Sequence, residues 1–563
     1  MLAIPLCILV AKPFAPIGIC DDWSYIWTAR VLAETGHLTY NGWGAMPLGW
    51  FAYVGALFIK LFGFSFNIVR SSDMVVSMLC AALMQRVFVR TGTTESTAAI
   101  ATLSLVLSPL FFPLAFSFMS DIPALFVLVL CLYCCMRVFQ AHSDNSALGW
   151  LIFAAFSNLV GGTVRQTAWL GVLLLMPATA WCCRRRRSVL PLGIVLWFTG
   201  ALGIALYMRW FRAQPYAVID KVFYKYHINS VFNASNTAIT SLLCLVPILC
   251  AFIARHAPGK RLVRNVAAVT GAVLGSLLFY WAMKSPHDYF RTVPFSIHGN
   301  FVTEQGIFFH PILGEPELVV PVAVRFFLAV VIVSTISCFI GCVITARRTL
   351  FADFHRTIPI GRSYAYISNG QFLILFSPFV VAYLFLILTR SPVYDRYFLP
   401  LQFVFTIVLI RIYRQTTSER LPRLCLLVGL LVAIYAVVST HDLFAFYRAR
   451  AAAADEIIST GLPRTELEGG FEYDGWTQLE QTGYVNESRI VIPQNTYVKW
   501  ISPDVPNPTI CIGWFRKYSP SVHPHLHLSQ SPGICYLPSQ FAPVVYKTWL
   551  PVKQQAIYIL RSY

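Results

Sequence analysis

The sequence predicts an all-α polytopic membrane protein of about 13 transmembrane helices, closed by a small extracytoplasmic domain that is mixed α/β or β-rich. Three observations predict it. Of 563 residues, 57% are hydrophobic and the mean hydropathy is +0.63, outside the soluble globular range. Many windows hold the roughly 20 mostly apolar residues that one helical span of a bilayer needs. The basic residues behind the net charge of +18 recur in short clusters between apolar runs, as loops on one membrane face do, so no nucleic-acid partner is expected.

The expected spans fall at roughly 1–19, 68–88, 97–116, 122–139, 147–162, 166–183, 188–207, 237–254, 265–283, 321–346, 369–389, 396–413 and 422–440. The first run is short and carries Pro5, Pro13 and Pro16, which predicts either an irregular span or a chain that starts late. It lacks a basic leader and a small-residue cleavage site, so it does not read as a cleaved signal peptide. Alternation sorts the loops into two sets. Arg86/Arg90, Arg184 to Arg187, Arg255 to Arg264, Arg347 to Arg362 and Arg411 to Arg423 fill short basic loops, placed in the cytoplasm by the positive-inside rule. The segments 20–67, 117–121, 163–165, 208–236, 284–320, 390–395 and the tail lie outside. "MPLGWFAYVGALFIKLFGFSF", Met46 to Phe66, is long enough to cross. A crossing there would turn every later arginine cluster outward, so the segment reads as an amphipathic, aromatic-anchored element along the interface.

Hydropathy falls at His441, which sets the expected division: a transmembrane catalytic domain over 1–440, with juxtamembrane helices in the first outer loop at 20–67, and an extracytoplasmic domain over 441–563. Within the tail, "RIVIPQNTYVKWI" and "QQAIYILRSY" alternate like strands. Thirteen of the 15 cysteines precede the tail, mostly inside apolar runs, where they act as small hydrophobes. Cys511 and Cys535 stand in the tail and can pair in an oxidising compartment or remain thiols.

Only 12% of the residues are charged, so acids at the edges of apolar runs stand out. Asp21 and Asp22 follow the first run in "CDDWSYIW"; such a site suits a general base, but the pair can equally cap the helix that follows. Asp121, in "FSFMSDIPALF", has almost no polar loop around it and can likewise be an N-cap. Arg165, in "GGTVRQTAWLG", sits in a turn so tight that it must lie at the membrane surface, where a guanidinium can hold a phosphate or snorkel to headgroups. "RSPVYDRYFLP" crowds Arg390, Tyr394, Asp395, Arg396 and Tyr397; Arg396 is a second candidate phosphate ligand or a salt-bridge partner of Asp395. Acids and arginines at the outer mouths of several helices make economical sense as one site that activates a hydroxyl and binds a phosphate.

Other motifs carry less. His523, His525 and His527 in "HPHLHL" read as a solvated strand face before a metal site. Asn233 and Asn486 head glycosylation sequons. No Walker loop, dinucleotide fingerprint or HExxH is present, which excludes motif-based ATP, NAD or metalloprotease readings.

The run "DDWSYIWTARVLAETGHL", the stretch from Pro47 through Arg70, Ser120 to Pro123, Arg165, and Arg396 to Pro400 together resemble the GT-C superfamily of glycosyltransferases. The likeness is to the protein O-mannosyltransferase and lipid A aminoarabinose transferase group. The resemblance implies a GT-C fold and transfer of a sugar from a polyprenyl-phosphate donor to an acceptor hydroxyl outside the cytoplasm, with inversion. The acceptor can be a glycan, a lipid or a protein. It further implies Asp21 as base, with Asp22 orienting the acceptor or helping hold a divalent metal, Mg or Mn. Asp121 would hold that metal or the donor phosphate region, and Arg165 and Arg396 the leaving phosphate. The pair here is Asp-Asp where Asp-Glu is commoner, which leaves metal use and the identity of the base open. A lipid-linked-sugar flippase or transporter and a surface-glycan polymerase or ligase are the competing readings; the first expects midplane sites and repeated halves, neither of which the sequence displays. The compact tail favours a bacterial plasma (inner) membrane, with the site on the periplasmic or extracellular face.

Overall fold

In the computed structural model, the described residues are 3–219, 237–254, 368–485 and 536–562 with short gaps, together with 510–513, Gly271 and short stretches within 301–340. The expected span at 265–283 apart from Gly271, and parts of that at 321–346, lie outside them, as do the basic clusters 255–264 and 347–362, the sequons, the three tail histidines, the strand proposed at 489–501 and Cys535.

Helices dominate. In order they are α1 (Ala3–Ala11), α2 (Asp22–Thr35), α3 (Gly49–Phe62), α4 (Phe66–Arg90), α5 (Glu95–Val106), α6 (Phe111–Leu114), α7 (Asp121–Phe139), α8 (Asp144–Gly161), α9 (Met176–Cys182), α10 (Val189–Arg212), α11 (Val246–Ala254), α12 (Asn369–Leu388), α13 (Leu399–Thr416), α14 (Arg423–Ser459) and α15 (Phe471–Thr482). Among the described residues, seven helical segments are long and apolar enough to cross a bilayer: α4, α7, α8, α10, α12, α13 with its preceding turn, and α14.

Four expectations change. The first span shrinks to the nine residues of α1, because Lys12 takes φ +43° and Pro13 follows, which ends the helix. The span at 97–116 breaks after Val106 into a turn and the four-residue α6. The span at 166–183 is helical but irregular, passing through a 3₁₀ turn, a π turn over Gly171–Leu175 and then α9. The boundary at His441 falls inside α14, which runs 37 residues without a break. Hydropathy falls there, but "RARAAAADEI" is built of strong helix formers, so the helix continues past the apolar stretch.

α3 is 14 residues, about 21 Å at 1.5 Å per residue, too short for a hydrocarbon core of about 30 Å. It buries Phe51, Ala52, Gly55 and Ala56 against the bundle and leaves Tyr53, Leu57 and Leu61 outward.

α7 and α13 form the buried centre, while α10 turns most of its apolar surface outward, as a lipid-facing helix does. The two ends of the bundle differ in chemistry. At the end of α7, Arg90 donates to Gln140 (2.5 Å) and Arg186 to the Ala141 carbonyl (2.5 Å); Arg414 reaches the Gly92 carbonyl. These are the basic loops assigned to one face. Asp121 starts the same helix, 19 residues or about 28 Å away, and gathers the acid–arginine group described below.

The tail supplies α15 and a small sheet. β3 (Leu467–Glu468) pairs parallel with β4 (Ile510–Gly513); β4, β5 (Tyr536–Pro538) and β6 (Val544–Trp549) each pair antiparallel with β7 (Val552–Ser562). β7 is the strand expected at "QQAIYILRSY". Asp442 on α14 accepts from the backbone N–H groups of Trp549 and Leu550 (both 2.8 Å), pinning the β6–β7 turn, and His441 stacks on the Trp549 ring at 3.9 Å.

Candidate active site

Four charged side chains from four segments meet at one end of the bundle. Asp21 occupies the cap position of α2, yet its side chain makes no capping bond. It accepts from Trp43 Nε1 at 2.9 Å and lies 3.4 Å from Arg396. Asp121 opens α7, and Ser120 before it also makes no capping bond. Its Oδ1 takes Arg165 Nη1 at 2.5 Å, and its Oδ2 lies 3.6 Å from Arg396 Nε. The order is therefore acid, cation, acid, cation: Asp21, Arg396, Asp121, Arg165. Asp121 and both arginines are buried, whereas the Asp21 side chain is 27% exposed, so Asp21 is the member open to an incoming molecule.

Local folding sets each position. Arg165 is extended (φ −158°, ψ 132°) between two 3₁₀ turns. The helix that follows is held in its irregular path by Asn158, whose Nδ2 donates to the Ala168 carbonyl and whose Oδ1 accepts from Val172 N–H. Gly162 is required there: a Cβ on it would lie 2.1 Å from the Trp169 ring. Arg396 sits in the 3₁₀ turn before α13. The carboxylate of its neighbour Asp395 accepts the backbone N–H groups of Phe301 (2.9 Å), Val302 (2.8 Å) and Arg396 (2.8 Å), which seats the small hairpin β1 (Val302–Thr303)–β2 (Gly306–Ile307) beside the site. Aromatic faces line the cations. Arg165, Arg396 and Arg390 lie 4.8, 5.7 and 5.8 Å from the Tyr397 ring, and Arg396 lies 4.6 Å from that of Tyr394.

Tyr25 is buried among the four. Burial holds its phenol well above its usual range, reinforced by the Asp21 carboxylate and opposed by Arg165 and Arg396, so it remains a hydrogen-bond donor. Gly44 makes room for its ring; a Cβ there would lie 2.4 Å from Tyr25 Cε1.

The two adjacent acids, expected to work together, part company. Asp22 is fully buried and turns to Arg70, with Nε–Oδ2 at 2.7 Å and a second contact from Nη2 to Oδ1 at 3.2 Å. It also accepts the backbone N–H groups of Ile19 (2.7 Å) and Phe118 (3.4 Å). With both oxygens committed, Asp22 does not fit the acceptor-orienting or metal-holding role, and Asp121 is enclosed by two guanidiniums. Among the described residues no group of three or more His, Cys, Asp or Glu side chains is arranged to hold a metal ion. Among the described residues, the acids of this site, spent on guanidiniums and backbone N–H groups, therefore do not fit a divalent cation. Of the two tail cysteines, Cys511 is buried in β4.

Three residues near the site carried no assigned role in the sequence, although Arg70 closes one of the resemblance motifs. Trp43 is one of 14 tryptophans. Arg70 lies in an apolar helix and also donates to the Ala15 and Ile17 carbonyls. Asp73, one turn further on, is fully buried with neither carboxylate oxygen hydrogen-bonded.

No family model matches the chain, and no curated protein matches it. By structure it is similar to ArnT from Cupriavidus metallidurans, both in the apo state (14% identity, 99% of this chain and 97% of that one, TM-score 0.42) and bound to undecaprenyl phosphate (14% identity, 99% and 96%, TM-score 0.43). It is also similar to the Saccharomyces cerevisiae protein O-mannosyltransferase Pmt1–Pmt2 complex bound to the sugar donor, at 13% identity over 40% of this chain and 35% of that one, with a TM-score of 0.31. At these scores the likeness is one of layout and carries no residue correspondence; the site stands on its own geometry.

Proposed function

We propose that this chain is a glycosyltransferase that moves a sugar from a polyprenyl-phosphate-linked donor to an acceptor hydroxyl at the outer face of a plasma membrane, with inversion. The observation that carries the reading is Arg396 shared between Asp21 and Asp121, with Arg165 closing on the other side of Asp121.

The chemistry follows from charge. The breaking bond joins the sugar's anomeric carbon to a phosphate oxygen, so negative charge grows on a phosphate, and cations stabilise it without a proton donor. Arg165 and Arg396 supply those cations, and Arg390 lies on the same tyrosine ring. Asp121 hydrogen-bonds Arg165 and, at 3.6 Å from Arg396 Nε, compensates the charge of the second guanidinium. A donor phosphate that engages Arg396 competes with Asp21 for it. The released Asp21 carboxylate then takes the proton of the acceptor hydroxyl as its oxygen attacks the anomeric carbon from the face opposite the departing phosphate. The polyprenyl phosphate leaves with the electron pair of the broken bond. Asp22, with Arg70, is scaffold in this scheme, and no step runs through a metal.

Among the described residues the paired acids and arginines of the site gather at one end of the helices, which disfavours a flippase reading. The reading is tested in native membranes, which carry the natural acceptor, with a radiolabelled pool of polyprenyl-phosphate-linked hexoses and pentoses. The wild type is expected to turn over at least one donor, and Asp21→Asn to retain donor binding while losing transfer. Full transfer by Asp21→Asn rejects it.

A further inference from the structure

We propose that Glu472, on the tail helix α15, is the positioning residue of Asp21, acting through the backbone of Cys20. This rests on the reading of Asp21 as the base.

The backbone N–H of Cys20 donates to Glu472 Oε1 at 3.1 Å. Cys20 has φ +51°, a left-handed conformation that residues with a side chain seldom adopt. It directly precedes Asp21, so its dihedrals set where that carboxylate points. Held strain of this kind needs a rigid anchor, and Glu472 is one. Its Oε1 also accepts from Tyr447 Oη at 2.6 Å, and its Oε2 pairs with Arg450 at 2.8 Å; Arg450 and Glu472 are almost wholly enclosed. Tyr447 and Arg450 lie on α14, so the network ties the loop before α2 to two helices more than 400 residues downstream in sequence.

The approach of α15 is built in. A Cβ on Gly18 would lie 2.5 Å from Trp23 Cβ and 3.3 Å from Glu472 Cβ, and one on Gly475 would lie 2.6 Å from the Trp23 ring. Phe471, next to Glu472, packs on Trp43 (5.6 Å), whose indole N–H is the bond to Asp21 Oδ1. One helix turn therefore supports Asp21 twice, through its preceding backbone and through its side-chain donor.

The test separates position from mere burial with two double variants of matched shape. Glu472→Gln/Arg450→Met and Glu472→Leu/Arg450→Met both remove the buried ion pair, but only the first keeps an acceptor for Cys20 N–H. Transfer from the same donor pool is expected to be recovered by the Gln/Met protein. The Leu/Met protein is expected to lose kcat on the order of 100-fold, as misplacement of a reacting group does, with KM for the donor unchanged. Equal kcat in the two overturns the proposal. Should either fail to fold, Cys20→Val and Cys20→Gly read the same point: valine resists the left-handed conformation and loses kcat, glycine accepts it and keeps kcat, and equal kcat in these two also overturns the proposal. Asp21→Asn is run beside them. Its full activity removes the base and sinks both readings, whereas its inactivity with an active Leu/Met protein sinks this one alone.

Discussion

The carboxylate of Asp21 and the guanidinium of Arg396, 375 positions apart in the chain, lie 3.4 Å from each other, and Arg396 turns its Nε toward Asp121. A single planar cation thus serves two acids at different angles. That geometry is specific to a fork of donors; an ammonium on a flexible stem cannot present two separated N–H groups in fixed directions. The pairing also keeps a buried cation compensated before any anion arrives.

Arg396→Lys keeps the charge and loses the fork. Donor turnover is expected to fall about 10²–10³-fold, close to the loss in Arg396→Ala, because the lost element is oriented stabilisation of the leaving phosphate. Arg165→Ala is expected to fall comparably. Steady-state transfer from the donor pool checks both, and a lysine variant with wild-type turnover would contradict the assignment.

Tyr25 gives a pH-dependent expectation. Burial, then the nearby Asp21 carboxylate, raises its phenol pKa, so the proton stays on as pH climbs through the range where free tyrosine ionises. The rate profile of the wild type is therefore expected to show no falling limb near pH 10 that Tyr25→Phe abolishes. Tyr25→Phe itself should cost turnover through the missing donor. A limb that vanishes in the phenylalanine variant would show that the phenol titrates in its ordinary range.

Asp22 and Arg70 make a stability prediction. Removing one partner leaves the other charged and enclosed, at a cost of roughly 3–5 kcal/mol, whereas replacing both by apolar groups of similar shape is far milder. Arg70→Met is expected to lower the unfolding midpoint in detergent sharply, and Asp22→Leu/Arg70→Met to recover much of it. Asp22 also holds the Ile19 and Phe118 N–H groups, so the recovery will be incomplete.

Much of this site was legible because charge is expensive beside hydrocarbon. Asp21, Asp121, Arg165 and Arg396 stand at the rims of apolar runs, and the structure brings all four together. The separate fates of Asp21 and Asp22 were not legible, because neighbours on a helix start point in different directions and the choice is made by Arg70, 48 positions away. Glu472 was hidden for the same reason; its bond to Cys20 spans 452 positions and leaves no local pattern. Hydropathy located the helices but not their regularity. The π turn at Gly171–Leu175 depends on a single asparagine, and α14 outlasts its apolar half because helix propensity and apolarity are separate properties.

Asp395 tests how far the site depends on support beneath it. Its carboxylate collects three backbone N–H groups, from Phe301, Val302 and Arg396, and it is fully buried. An asparagine of the same shape substitutes an NH2 donor for one acceptor oxygen, which then faces backbone N–H groups that need acceptors. Each unsatisfied buried donor costs about 1–3 kcal/mol, so Asp395→Asn should release the 301–307 hairpin while the helices stay folded. The expected signature is faster proteolysis near residue 301, together with reduced donor turnover as the Arg396 backbone shifts. If cleavage and turnover both match the wild type, the carboxylate is not what holds this turn against the site.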